Sequence, residues 1–424
     1  MILHLDLDSF FASAHRTVDS RLEGIPIAVG GRSNLKIFEK KQVGIKLYNT
    51  NSGAFVNPIF YNDKNIDFKT FFIDNIEGKE KIRGIITTAS YEARAYGVKT
   101  GMSVNEALGR CPHLVVIPPK YLLYHDLSHR LHLFLKREIP EIEQFSIDEF
   151  FGNVRGWIEE DDVLEFAYYL KKSIFEEFKL PISIGISSGK WIAKLATNHA
   201  KPDGVYMVKK GEISNFIEDI PINKFPGIGR GYENRLKKHF IFTLGDASQN
   251  KMLFYKWGKS GKQLYHRIVG DDYEGISKAN DRKSIGISRT FDPIKSRDEV
   301  KRRISILARH IVFLVVKQNV NPTTYYIGVK YDYGARVKMR KTVDRVFNEK
   351  LCKDTFEEMF YEIDDFRGHI TKLSMSVSNF SYQKNKSLSL IDFEEDNKHK
   401  KITASVQKLR EKYSLDIIKS ANEL

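Results

Sequence analysis

Apolar and polar residues alternate from Leu3 to Asp8. That period of two predicts a strand with Leu3, Leu5 and Leu7 in a core and His4, Asp6 and Asp8 on the opposite face. Helical spacing follows from Phe10 to Leu22, and Ile25–Val29 reads as a short buried strand closed by Gly30-Gly31. From about Ser33 to Arg83 the periods fade and Lys, Asn and Phe dominate, which predicts an inserted surface segment. Its aromatics Phe55, Phe60, Tyr61, Phe68, Phe71 and Phe72 argue that part of it packs. A strand at Gly84–Thr88, a helix from Tyr91 to Tyr96 stopped by Gly97, a helix N-capped by Ser103, a strand at Leu114–Ile117 and an amphipathic helix over Tyr121–Arg137 come next.

A second acidic cluster then appears in Glu143–Phe151. Neighbours Asp148 and Glu149 face opposite sides of a regular strand, so a shared site requires a bend at a hairpin tip or bulge. Val163–Phe178 predicts a helix, Ile182–Ser187 a strand, Lys190–His199 a helix, and Lys201-Pro202-Asp203-Gly204 a turn. This order predicts an α+β fold: an antiparallel sheet with helices on one face and its two acidic patches on adjacent central strands.

Beyond Val208 the pattern becomes short and helical around Phe225-Pro226-Gly227-Ile228-Gly229. A Gly-Ile-Gly turn between helices presents backbone N–H groups able to hold a phosphate, as in a helix-hairpin-helix; an ordinary helix turn is the other reading. Asp271–Asp281 is polar and predicts a linker. A separate strand-helix-strand-strand-helix-strand unit follows. Val300, Ile304, Leu307, Ile311 and Leu314 mark the buried stripe of its first helix. Arg336, Lys338 and Arg340 alternate with Val337 and Met339, giving one basic strand face suited to a phosphate backbone or to a solvated sheet edge. From Gln383 the tail is charged, with a short helix predicted from Ile402 to Tyr413.

Composition narrows the function. The chain has 424 residues, enough for several domains, and a net charge of +14. With a pI near 9.3, a polyanionic partner is expected, nucleic acid first, although a lysine-rich surface explains part of the excess. Two cysteines, Cys111 and Cys352, build neither a disulfide framework nor a zinc cluster, which fits a reducing cytosol. No stretch is apolar and long enough for a membrane span, and acids interrupt the amino-terminal apolar run, unlike a signal peptide. A cytoplasmic protein is expected. Alone, Asp6 and Asp8 fit either a solvated strand face or a Mg²⁺ site.

Five motifs in order tip that balance: Asp6-Leu7-Asp8-Ser9-Phe10-Phe11-Ala12, Ala89-Ser90-Tyr91-Glu92-Ala93-Arg94, Tyr96-Gly97-Val98-Lys99-Thr100-Gly101-Met102, Ser146-Ile147-Asp148-Glu149 and Ala200-Lys201-Pro202-Asp203-Gly204. Together they resemble the Y-family DNA polymerases, the translesion class, and within it the DNA polymerase IV branch. The resemblance implies a right-hand architecture. Its parts would be a palm at 1–16 and 112–207, fingers at 17–111 with the insertion at about 33–83, and a helix-hairpin-helix thumb at 208–270. A linker at 271–282, a βαββαβ little finger at 283–383 and a tail at 384–424 would complete it. It also implies distributive, non-proofreading addition of deoxynucleotides to a primer 3′-hydroxyl, past damaged template bases, by a monomer using two Mg²⁺ ions.

By the same resemblance Asp6, Asp148, Glu149 and the Leu7 carbonyl hold the metals, with Asp8 at most an assistant. Phe10, Phe11, Thr88, Tyr91, Arg94 and Lys201 fall at nucleotide-binding positions, and Phe11 is the ring that excludes a ribose 2′-hydroxyl. DNA contacts are expected at Gly227, Ile228 and Gly229 and at Arg336, Lys338 and Arg340. The tail near Leu388–Phe393 is similar to a degenerate sliding-clamp peptide. Ser9 departs from the bulkier residue of most relatives, Phe150-Phe151-Gly152-Asn153 departs from their pattern after the acidic pair, and the insertion has no counterpart in compact ones. A nucleotide cyclase, which shares paired acids on such a sheet, would need neither the helix-hairpin-helix nor the basic second sheet. Intact Asp6, Asp148 and Glu149 argue against a non-catalytic DNA-binding protein.

Overall fold

Leu3, Leu5 and Leu7 do enter a core, but the face bearing His4, Asp6 and Asp8 is buried as well. In this computed structural model, residues 1–33, 35–39, 46–48, 59–61, 67–76, 79–272, 274–276, 282–381 and 390–424 are described. They divide into two units. The first draws on residues 1–31 and 66–280, the second on 32–49, 57–65 and 281–424.

In the first unit the Ile2–Leu7 strand is the centre of five, ordered Val205–Val208, Ile182–Ser187, Ile2–Leu7, Glu149–Asn153 and Glu141–Gln144. Neighbours are antiparallel except Val205–Val208, which runs parallel to Ile182–Ser187 and so corrects the purely antiparallel expectation. A parallel neighbour needs a crossover, and the Lys190–Ala200 helix supplies it. That helix also corrects the expectation of helices on one face. Tyr121–Glu138 and Val163–Phe178 cover the leucine face, whereas Lys190–Ala200 lies over the face of His4 and Asp6.

Gly185, paired with His4, allows the crossover helix to lie this close. A Cβ there would stand 2.1 Å from the Ala193 carbonyl oxygen and 2.4 Å from the Thr197 nitrogen. The far side of the helix, through Ile192 and Leu195, joins a helical core with Phe225, Leu236, Leu244, Phe254 and Leu264. The polar stretch expected as a linker begins firmly anchored: Asp272 accepts the backbone N–H groups of Lys190 and Trp191, capping the crossover helix from outside. Glu274 accepts both Arg267 and the Trp191 indole N–H.

A three-stranded sheet of Ile85–Ala89, Ile27–Gly31 and Val115–Ile117 carries its own core. Phe72, from the segment read as a surface insertion, is fully buried in it. Its ring rests on Gly30, where a Cβ would lie 2.6 Å away. Phe68 and Phe71 pack beside it; Phe55 lies outside the described residues, and Phe60 and Tyr61 are described only as strand backbone.

The second unit is an antiparallel sheet ordered Ser284–Ile294, Ile370–Ser381, Asn321–Tyr331 and Arg336–Thr342, with helices Arg297–Lys317 and Glu349–Ile363. The predicted stripe Val300, Ile304, Leu307, Ile311 and Leu314 is buried, and so are Ser305, Arg309, His310 and Val312 on other sides of the same helix. Two distant pieces of chain cover them. Ile37 and Phe38 of the one-turn helix Lys36–Phe38 join this core, with Arg303 lying over the rings of Phe38 and Phe291. The tail helix runs over Leu390–Lys412, far beyond the predicted Ile402–Tyr413. Past it, the Leu415 carbonyl and the Glu423 carboxylate accept the buried Arg309 guanidinium at 2.5 and 2.6 Å. The tail is therefore an integral layer of this unit.

Candidate active site

Three carboxylates gather at one end of the five-stranded sheet. The register sets Asp6 directly opposite Glu149. Phe145 and Ser146 both donate backbone N–H groups to the Glu149 carbonyl, closing the hairpin between Glu141–Gln144 and Glu149–Asn153. Asp148 sits at that tip, and its carbonyl accepts the Leu7 N–H at 3.0 Å. The bend demanded by adjacent Asp148 and Glu149 is thus a hairpin tip clasped to the central strand. Ser146 Oγ donates to Asp148 Oδ1 at 2.5 Å.

The crossover helix brings the counter-charges. Lys190 Nζ lies 2.6 Å from Glu143, Lys194 Nζ 2.5 Å from Glu149, and Lys201 Nζ 2.7 Å from Asp6. Residues 190, 194 and 201 follow helical spacing, so one stripe of lysines meets acids from three strands. His4 completes the cluster. Its Nδ1 is 2.8 Å from Thr197 Oγ1, its Nε2 is 3.4 Å from Lys194, and it shares with Asp6 and Glu149 a space in which their ligand atoms all lie within 4.8 Å.

Burial pushes Asp6 up to about 7; Lys201 opposes this, while Glu149 and Asp148 add to it. Burial likewise raises Asp148, against its bond from Ser146. Burial and the surrounding lysines hold His4 far below the usual imidazole range, so the ring is neutral. Buried first and crowded by Glu149 and Asp148 second, Asp6 is under-neutralised by the protein alone. Hard oxygen donors with that deficit fit divalent cations.

The other expected residues separate into two groups. Tyr91, at the start of the helix Tyr91–Ala95, donates its hydroxyl to Asp8 Oδ1 at 3.0 Å, and the Arg94 guanidinium lies 4.6 Å over the Tyr91 ring. Arg94 is held by the Ala89 carbonyl through Nε, and Thr88 is half-buried on the preceding strand. Phe11 is half-buried and stacked on Tyr124. Phe10, in contrast, is only 2% exposed within the leucine-face core, so of this residue only the backbone is available to a nucleotide. Leu7 is also a core side chain, leaving its backbone alone as a donor. Asp8 accepts the Tyr91 hydroxyl, Ser183 Oγ and the Asp203 N–H and so anchors three segments to the strand, with its carbonyl taking Ser13 Oγ.

Gly227 and Gly229 are exposed, Gly227 at φ 99°, ahead of the helix Arg230–Lys237. Ile228 between them is buried in the helical core, so the turn offers its backbone, the group expected to meet phosphate. In the second unit Arg336, Lys338 and Arg340 are all exposed on the edge strand. Of the suspected clamp-like segment, Leu388 and Ser389 lie outside the described residues and Leu390 and Ile391 are described only as helix backbone; Phe393 at its end is partly exposed on the tail helix.

Sequence reasoning missed Lys194, His4 and Ser146. The signals were present: lysines at helical spacing leading into Lys201, His4 in phase with Asp6, and a serine two residues before Asp148. No helix among the described residues is long and apolar enough to cross a membrane.

Two models of one family match the chain: the impB/mucB/samB family over residues 61–198 and its C-terminal domain over residues 282–390. A DNA polymerase IV of Bacillus anthracis is 27% identical over 100% of this chain and 93% of its own length. One of Staphylococcus epidermidis is 25% identical over 92% and 98%. Among solved structures, a Y-family DNA polymerase chimera of Dbh and Dpo4 superposes with a TM-score of 0.70 at 20% identity, covering 89% of this chain and 98% of its own. An insertion ternary complex of Dbh DNA polymerase gives 0.55 at the same identity, with the same shares covered. Matched over more than half its length by the two models, and along nearly all of it by relatives called DNA polymerase IV, the chain belongs to the impB/mucB/samB family, the Y-family of DNA polymerases, in its DNA polymerase IV branch.

Proposed function

We propose that the chain is a template-directed DNA polymerase of the translesion type, adding deoxynucleotides to a primer 3′-hydroxyl. The observation that carries this reading is the convergence of Asp6, Asp148 and Glu149 at one sheet end, with Lys201 and the Tyr91–Arg94 helix alongside. Asp6, Asp148, Glu149 and the Leu7 carbonyl would hold divalent cations, two Mg²⁺ in this reading. Bound there, such ions lower the pKa of the attacking hydroxyl and neutralise charge on the triphosphate and pyrophosphate.

The chain's own residues do the rest. Arg94 and Lys201 attract the triphosphate oxygens and stabilise charge gathering on them; Lys201 exchanges its Asp6 contact for phosphate as it does so. Thr88 and Tyr91 line the same side, with Tyr91 held in place by Asp8. Phe11 closes the floor beneath the sugar and excludes a 2′-hydroxyl. The backbone N–H groups around Gly227 and Gly229, and the exposed Arg336, Lys338 and Arg340, track DNA phosphates without reading sequence. Synthesis is distributive and without proofreading, by a monomer in the cytoplasm, and the stretch near Leu388–Phe393 docks on a sliding clamp.

Primer extension on undamaged and lesion-bearing templates with Mg²⁺ tests the reading. The wild-type chain is expected to extend both and the Asp148→Ala, Glu149→Ala double variant neither. Extension surviving in that variant, or a cyclic product formed without template, would overturn it.

A further inference from the structure

Tyr124 is completely buried yet lies against the one ring assigned to sugar selection. The two rings are parallel to within 11° with centroids 4.3 Å apart. Tyr121, one turn earlier on the same helix, meets Phe11 edge-on at 87° and 6.4 Å. Tyr124 itself is held on other sides. Its hydroxyl is 2.7 Å from His15 Nε2, and the Phe10 ring lies 6.0 Å from it. His15 and both phenylalanines belong to the Phe10–Arg16 helix, so Tyr124 is bonded to the same helix that carries the gate.

A gate excludes an oxygen atom only if it cannot retreat by about the size of that atom. Phe11 stands on the first turn of a seven-residue helix whose N-cap, Ser9, is in the left-handed region at φ 42°. So short a helix gives its first side chain little support of its own. The flat face behind the ring does: two stacked aromatic faces leave no room for the front ring to move backwards without losing contact.

We propose that Tyr124, locked by His15, is the back wall of the sugar gate, so that selection against ribonucleotides is a property of the Phe11–Tyr124 pair and not of Phe11 alone. Tyr124 has no exposed surface and touches no substrate; it is a positioning residue. The inference rests on the reading of Phe11 as the gate.

The test is the ratio of ribonucleotide to deoxynucleotide kcat/KM in single-nucleotide primer extension by the full chain. It compares wild type, Phe11→Ala, Tyr124→Leu and the double variant, with Tyr124→Met as an unbranched, more adaptable replacement of about the same volume should the leucine variant fail to fold. Tyr124→Leu or Tyr124→Met is expected to raise the ratio roughly 3- to 10-fold, the scale of one lost aromatic pair. The double variant is expected to match Phe11→Ala, because a wall without a gate selects nothing. An unchanged ratio in both Tyr124 variants, or a double variant whose ratio is the product of the single effects, would refute the back wall. An unchanged ratio in Phe11→Ala would instead refute the gate assignment beneath it.

Discussion

The Lys194 ammonium lies 2.5 Å from a Glu149 carboxylate oxygen, making an amine of the crossover helix the immediate counter-charge of a proposed metal ligand. Both side chains are largely buried, so the pair is poorly screened. Lys194→Met would leave Glu149 crowded by Asp6 without compensation. Removing one partner of such a pair is expected to destabilise the metal-free protein by about 2–4 kcal/mol, below the full cost for a completely buried pair. Because a divalent cation supplies the missing charge, the melting deficit should shrink when Mg²⁺ replaces EDTA. A deficit of equal size in both buffers would show that Lys194 serves packing alone.

Gly185 governs where that lysine stands. Gly185→Ala places a methyl group 2.1 Å from the Ala193 carbonyl oxygen, and neither backbone can yield without moving the helix off the sheet. A loss of about 1–3 kcal/mol is expected in denaturant unfolding. Extension should fall by more than stability explains, since Lys194 and Lys201 both move with the helix. Full activity per folded molecule would contradict this coupling.

Acid should loosen the second unit through Glu349. Arg410 at 2.6 Å and Lys353 at 2.7 Å hold its carboxyl at about 2 despite burial, from an ordinary value near 4.5. The folded state thus binds this proton less readily than the unfolded chain. Its contribution, on the order of 2–3 kcal/mol, is complete above pH 4.5, declines as pH falls and is gone below about pH 2. Glu349→Gln should therefore be less stable than wild type at pH 7 and show a flatter stability profile between pH 5 and 2. Parallel profiles for the two proteins would disprove the linkage.

The tail makes a separate demand. Glu423 neutralises Arg309 at 2.6 Å in the interior and also meets Lys353 at 2.7 Å. Glu423→Ala strands a buried guanidinium, and a loss of about 3–5 kcal/mol is expected in thermal or denaturant unfolding. A change below 1 kcal/mol would mean that the tail merely lies on the surface.

Most elements were legible because their cause is local. The alternation through Leu3, Leu5 and Leu7, the cap at Ser103, and the stripe from Val300 to Leu314 are each set by neighbours within a few residues. The identities of Asp6, Asp148 and Glu149 were legible too, since their spacing and surrounding motifs are written in the chain. Long-range burial was not. Phe72 stands in a segment read as a surface insertion, and only packing against Gly30 puts its ring inside the core of the three-stranded sheet.

What the amino-acid sequence by itself determined is the kind of protein: its strands and helices, its carboxylates, its basic surface and the family they mark. The tertiary structure alone decided which lysine meets which acid, why Asp8 is an anchor although it sits on the same face as Asp6, and that a charged tail and Phe38 are interior parts of the second unit. The reason is physical. Local periodicity states which residues can share a face, but whether that face meets water, a helix or a distant tail depends on chain brought back from a hundred or more residues away.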